Sequence, residues 1–298
     1  MRRLALLLGV GGLLVTAVPP AQSALPPGVK TTHANGITIA YRITGSGKPL
    51  LMINGSGATL DTWDPALLDA LGPGRRLIVF DPRGFGGSTD TSGGKLTIQK
   101  LADDAAALLG ALHVRRADVL GWSLGGFVAQ EVAIRHSKRV RRLVLASSSA
   151  GGRHAAKATA EVMAIDEKTT LGLATPDEFL PVLFPPAAQD AGNAWIARLL
   201  NQPGGCCEAF TQEAGQRQVD AQRLWYAGNG GDEARLHKIK ARTFIGAGKL
   251  DQDVPVANAK LLHKRIHGSK LHIYADAAHA FLIQHAGEFA KSVRAFLR

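Results

Sequence analysis

Six short apolar runs punctuate the chain, separated by segments with helical spacing, and this alternation constrains the fold more than any other feature. The runs are Leu50–Asn54, Arg76–Phe80, Ala117–Leu120, Arg142–Ala146, Ala241–Gly246 and Lys270–Ala275. Each is apolar at consecutive positions rather than at every second one, which marks a strand buried on both faces, as in a parallel sheet. Helical patterns cover Ile98–Leu112, Leu124–His136, Val256–Ile266 and Ala280–Leu297. Strand then helix, repeated, predicts an α/β fold with a doubly wound, mostly parallel sheet. Ahead of the first run, Gly28–Ala34 and Ile37–Thr44 flank Asn35-Gly36. That dipeptide accepts the positive φ angles of a two-residue turn, so an antiparallel hairpin is expected to open the mature chain.

One interval breaks the rhythm. From Arg153 to Lys238 helical patterns follow one another, punctuated by Pro176, Pro181, Pro185-Pro186 and Pro203. An insert between two parallel strands is expected to form a helical lid over their carboxyl ends, where α/β sheets place ligands. The start of the chain reads differently again. Met1-Arg2-Arg3 is basic, Leu4 to Val18 carries no charge, and Ala21-Gln22-Ser23 offers small residues at the positions a signal peptidase reads. The apolar run is shorter than the ~20 residues a spanning helix needs, so a signal peptide cut near Ser23 is favoured over an uncleaved anchor. The division is then a signal peptide over 1–23, a core over 24–152 and 239–298, and a lid over 153–238. Secretion or export to the periplasm follows.

The chemistry-bearing motif is Gly121-Trp122-Ser123-Leu124-Gly125-Gly126, directly after one predicted strand and opening the next helix. A serine there sits on a sharp turn with strained backbone angles, and small neighbours let the helix pass close to the strand. Its hydroxyl is presented at the top of the sheet, with the N–H groups of the helix start aimed at it. Four other stretches belong with it: Ile53-Asn54-Gly55-Ser56-Gly57 with Trp63 following, Phe80-Asp81-Pro82-Arg83-Gly84-Phe85-Gly86-Gly87-Ser88, Gly248-Lys249-Leu250-Asp251-Gln252-Asp253-Val254-Pro255, and Asp276-Ala277-Ala278-His279.

With these stretches the chain resembles the α/β-hydrolase superfamily over essentially its whole mature length. The resemblance implies Ser123 as nucleophile, Asp251 as the acid and His279 as the base, in that family's chain order. It also implies an oxyanion hole made by the backbone N–H groups of Ser56 and Leu124. Two positions depart from the family pattern. Asn54 stands where a histidine is usual, and Ala278 where a glycine usually precedes the catalytic histidine. Neither removes a reacting group, because the oxyanion hole is built from backbone. Asn54-Gly55-Ser56 is also a glycosylation sequon, but a strand end facing a pocket argues against its use.

Several residues have a competing, blander reading. Asp253 lies two residues from Asp251 and suits the cap of the following helix; loop position favours Asp251 as the acid. His272 falls inside a strand and His285 inside a helix, both structural or solvent-facing. His263 and His267 have a metal-binding spacing on a helix, yet Lys264 and Arg265 lie between them and no third ligand is visible. A solvated basic face fits better, and neither a metal nor an organic cofactor is expected. Cys206-Cys207 would close a strained eight-membered ring; two small apolar residues in the lid is the simpler account, with an intermolecular bridge left open.

The reaction implied is hydrolysis of a carboxylic ester or related acyl bond through an acyl-enzyme, since serine needs a base within reach to act as nucleophile. On the same triad, cofactor-free perhydrolase or haloperoxidase-type chemistry and C–C bond hydrolysis are alternatives. A non-enzymatic binding module is a third reading, although such proteins usually lose a triad member. Ser123 argues against the relatives that use an aspartate nucleophile. The net charge of +11 on 298 residues raises nucleic acid as a partner, but no motif supports it. The charge is also uneven: residues 153–238 hold 8 Lys and Arg against 11 Asp and Glu. Much of the basic surplus lies in Arg75-Arg76, Arg115-Arg116 and Arg135 to Arg142, at strand starts remote from Ser123. The expected partner is a small, apolar, ester-like molecule in a neutral, largely apolar pocket.

Overall fold

The computed structural model describes residues 25–90, 93–203 and 210–298; the predicted signal peptide and Cys206-Cys207 lie outside them. Eight strands form one sheet: β1 (Val29–Ala34), β2 (Ile37–Gly45), β3 (Lys48–Ile53), β4 (Arg75–Phe80), β5 (Ala117–Trp122), β6 (Val140–Ala146), β7 (Arg242–Gly248) and β8 (Lys270–Tyr274). Their order is β1-β2-β4-β3-β5-β6-β7-β8. β1 and β2 form the expected hairpin, its turn made by Asn35 at φ 51° and Gly36 at φ 77°. β2 also runs antiparallel to β4, and every pairing from β4 to β8 is parallel. All six apolar runs are therefore strands.

β3 pairs with β4 on one side and β5 on the other, so the chain leaves the β3 and β5 carboxyl ends in opposite directions. Such a switch point opens a crevice at the sheet's top. Helices α2 (Ile98–Ala111), α3 (Leu124–Arg135) and α8 (Ala257–Arg265) bury their apolar sides on one face of the sheet. Helices α1 (Pro65–Leu71) and α10 (Ala286–Phe296) cover the other. α1 is too short to show a helical period, and Asp64 caps it by accepting the Ala66 N–H at 3.1 Å. The helical pattern at the C-terminus is two pieces, α9 (Phe281–Gln284) and α10, because the backbone leaves helical angles at His285.

Between β6 and β7 the described residues form helices and no strand. These are α4 (Ala160–Thr170), α5 (Pro176–Leu183), α6 (Gln189–Leu200) and α7 (Gln212–Tyr226). Leu180, Phe184 and Trp195 join the core that contains Trp122, while Trp225 stacks on Phe127 at 5.5 Å on the other face. No described helix is long and apolar enough to cross a membrane.

Part of the basic surplus is structural. Asp118, fully buried at the start of β5, accepts from Arg75 at 2.7 Å and from Arg141 Nε at 2.8 Å. Arg75 is buried too and also donates to the Leu297 carbonyl at 2.6 Å. Asp118→Ala would strand a buried guanidinium without its carboxylate. A loss of about 3–5 kcal/mol is expected in urea unfolding; a loss below about 1 kcal/mol would mean that water reaches Arg75.

Candidate active site

Ser123 follows β5 without a spacer and begins α3 at φ 56° and ψ −124°, a conformation rare for any residue but glycine. Tight backbone packing enforces it. A Cβ on Gly121 would lie 2.1 Å from the Gly125 carbonyl oxygen, and a Cβ on Gly125 would lie 2.1 Å from that of Ile53. The helix start is thus pressed against the ends of β5 and β3, and only glycine fits at either point. The Ser123 N–H donates to the Ala146 carbonyl at 2.9 Å, which ties the turn to β6.

The loop after β3 passes beside this serine. Ideal Cβ geometry on Gly55 comes within 3.4 Å of Ser123 Cβ. Asn54 shapes the loop: its Oδ1 accepts the Gly55 N–H at 2.9 Å, and its Nδ2 donates to Thr62 Oγ1 at 2.7 Å and to the Thr59 carbonyl at 3.2 Å. A buried side chain committed in this way is also no glycan acceptor. One contact has no precedent in the sequence reading. Gln218 on α7 accepts the Gly57 N–H at 2.7 Å and so fastens the inserted helices to this loop. The N–H groups of Ser56 and Leu124 have no acceptor among the described residues.

His279 is carried by the loop after β8. Its carbonyl accepts from Trp122 Nε1 at 3.2 Å and from Ser147 Oγ at 3.0 Å, so the elbow strand and the end of β6 set its position. Asp251 holds the ring, with Oδ2 and Oδ1 at 3.0 and 3.1 Å from Nδ1. The same carboxylate accepts the N–H groups of Asp253 at 3.0 Å and Val254 at 2.8 Å. An ionised carboxylate only accepts, so Nδ1 carries a hydrogen. Asp251 and His279 are both buried.

Asp253 departs from expectation. It does not cap α8, whose N-cap position is Val256 and which has no side-chain cap. Its Oδ2 instead lies 3.4 Å from His279 Nε2, the opposite edge of the ring. Two cavities, of about 540 and 390 Å³, meet here, and Ser123, Asp166 and Asp253 line both. Leu171, Phe179, Leu183, Trp195 and Phe210 wall the larger one, as the expected apolar pocket requires. The smaller one holds Met163 and Tyr226 together with Lys157, Glu167 and Arg223. Neutrality was not legible, because a charge count over a helix does not tell which acidic side chain turns inward. Asp166, on α4, does so.

The electrostatics follow from this crowding. Burial alone would lower the His279 pKa, but Asp251, Asp253 and Asp166 outweigh it and push it up to about 9. Burial and the adjacent Asp251 hold Asp253 above the usual carboxylate range, and burial with Asp253 and Glu167 raises Asp166. The remaining histidines stand apart. His285 meets Asp276 at 3.0 Å, His263 meets Ser269 at 2.9 Å, and His272 lies 3.6 Å from Glu288. No group of three His, Cys, Asp or Glu fit to hold a metal ion occurs among the described residues.

Comparison with known proteins agrees with this architecture. Residues 48–286 match the family model described as alpha/beta hydrolase fold. The chain is 30% identical to a 2-hydroxymuconate semialdehyde hydrolase of a Pseudomonas species over 269 residues, 89% of this chain and 92% of that one. It is 31% identical to a poly(3-hydroxyalkanoate) depolymerase of Ectopseudomonas oleovorans over 255 residues, 84% of each chain. Among solved structures, an alpha/beta hydrolase fold protein from Chitinophaga pinensis superposes with a TM-score of 0.75 at 27% identity, covering 90% of this chain and 96% of its own.

Proposed function

The chain belongs to the α/β-hydrolase family, and we propose that it is a serine hydrolase cleaving neutral carboxylic esters through an acyl-enzyme. The observation that carries this reading is the strained Ser123 elbow sharing a cavity with His279, whose ring is fixed by Asp251. In the proposed reaction His279 Nε2 takes the Ser123 proton as Oγ attacks the acyl carbon. The imidazolium then hands that proton to the leaving alcohol, and water attacks the acyl-enzyme with His279 again as base. The free N–H groups of Ser56 and Leu124 stabilise the tetrahedral oxyanion, each by ~3 kcal/mol in comparable hydrolases.

The substrate class is read from the walls. An aromatic and aliphatic chamber on one side of Ser123 suits an apolar arm, and the more polar chamber suits a short polar one. Asp166 and Asp253 beside the nucleophile offer an anionic substrate no counter-charge. That favours a neutral ester, as the depolymerase relative's name suggests, over a muconate-type acid cleaved at a C–C bond. Perhydrolysis on the same triad is the remaining alternative. We read α4 to α7 as the lid of this site and the leader as a signal for export.

A fluorophosphonate tests the reading directly. It is expected to add one label to the protein at Ser123, with loss of aryl-ester turnover in proportion to labelling. Label elsewhere, or turnover that persists after full labelling, would overturn it.

A further inference from the structure

We infer that Asp253 is a positioning residue that favours His279 as a resting imidazolium by placing its carboxylate beside Nε2, the nitrogen that must be free before Ser123 can be deprotonated. The inference rests on the proposed triad and adds to it a second carboxylate with the opposite effect. The ring lies between two acids of one loop. Asp251 meets Nδ1 at 3.0 Å, and Asp253 Oδ2 stands 3.4 Å from Nε2. The turn itself sets this up, because Asp251 Oδ1 accepts the Asp253 N–H and so directs the second carboxylate to the ring's far edge. Among the described residues no hydrogen bond joins Ser123 Oγ to the ring.

At 3.4 Å Asp253 meets Nε2 at ion-pair distance without a hydrogen bond, so it acts on the ring by charge: an anion beside each ring nitrogen favours hydrogens on both, which is the imidazolium. A ring in that state cannot accept the serine proton. The groups facing it are Asp251 and Asp253 from the loop after β7, Asp166 from α4, and the Ser123 hydroxyl and Trp122 ring from the elbow. Asp253 in turn faces Tyr226, Lys157, Glu167 and Arg223 across the smaller cavity. The upward displacement of the His279 pKa has the direction this arrangement demands. Only when Nε2 loses its proton to solvent does the lone pair turn to Ser123. The site is therefore idle in acid and active in base, and Asp253 sets where it changes over.

The test compares wild type with Asp253→Asn, following kcat/KM for a neutral aryl ester from pH 5 to 10 and the ¹⁵N resonances of the His279 ring over the same range. For the wild type, the acid limb is expected near pH 9, with both ring nitrogens protonated at pH 7.5. In Asp253→Asn the limb and the ring titration should move down together by about one unit or more. The variant should then be about tenfold faster at pH 7, a gain that a merely structural role would not give. Asp253→Glu keeps the charge and should return the limb toward the alkaline side. The inference is overturned if the limb stays in place in Asp253→Asn, if activity falls uniformly at every pH, or if the wild-type ring is singly protonated at pH 7.5. Because the ring titration needs no turnover, it is separable from the triad reading: a moving titration with no ester hydrolysis would sink the reading and keep the inference.

Discussion

Ser123→Ala is expected to lower kcat for a neutral aryl ester by about 10⁵–10⁶-fold, the scale on which serine hydrolases lose activity when the nucleophile alone is removed. The rest of the site stays intact in that variant. Asp251 still holds His279, and the loop of Asn54 still presents the Ser56 N–H, because none of the contacts that fix them uses Ser123 Oγ. Whatever rate remains measures binding and oxyanion stabilisation without a nucleophile. The unfolding midpoint in urea should be close to that of the wild type, because alanine keeps the Cβ that the φ 56° turn already accommodates. A variant that retains a tenth of the activity would show that Ser123 is a bystander and that His279 activates water directly. A variant that fails to fold would instead point to a structural role for the hydroxyl.

How much of this was legible before any coordinates depended on which force set each feature. The parallel strands were readable because burial on both faces leaves no polar alternation, and the Asn35-Gly36 turn because few other dipeptides accept φ angles of 51° and 77°. The elbow was readable because Gly121 and Gly125 have backbone within 2.1 Å of any added Cβ, so the spacing of glycines around Ser123 records a contact in three dimensions. What stayed hidden was direction. Asp166 and Gln218 sit on helices whose sequence fixes a periodicity, whereas the face turned to the sheet is chosen by packing. Arg75 was counted only within the basic surplus at strand starts, and its buried pairing with Asp118 could not be seen from either residue alone. Asp253 was noticed, but as a helix cap, since capping is a local interaction and its approach to His279 spans the gap between two loops.

The two acids of that loop make opposite expectations, and the second large effect follows from Asp251. Asp251→Asn is expected to lower kcat by about 10⁴-fold near neutral pH with the fold retained. Asparagine Oδ1 can still accept the N–H groups of Asp253 and Val254, bonds of 3.0 and 2.8 Å that shape the turn. Its NH₂ then faces His279 Nδ1, a donor set against a donor, unless the ring moves its hydrogen to Nε2. That tautomer has no lone pair toward Ser123, so the base is lost through proton placement while every heavy atom stays put. Measuring kcat and the fluorophosphonate labelling rate separates this from a general disturbance: both should fall together, because each needs the same deprotonation. Asp253→Asn, two residues along, removes a competitor for Nε2 and should raise the rate at pH 7. Were Asp251→Asn nearly silent and Asp253→Asn crippling, the assignments of the two carboxylates would have to be exchanged. The 3.0 Å contact at Nδ1 would then be structural, and the 3.4 Å approach at Nε2 would be the catalytic one.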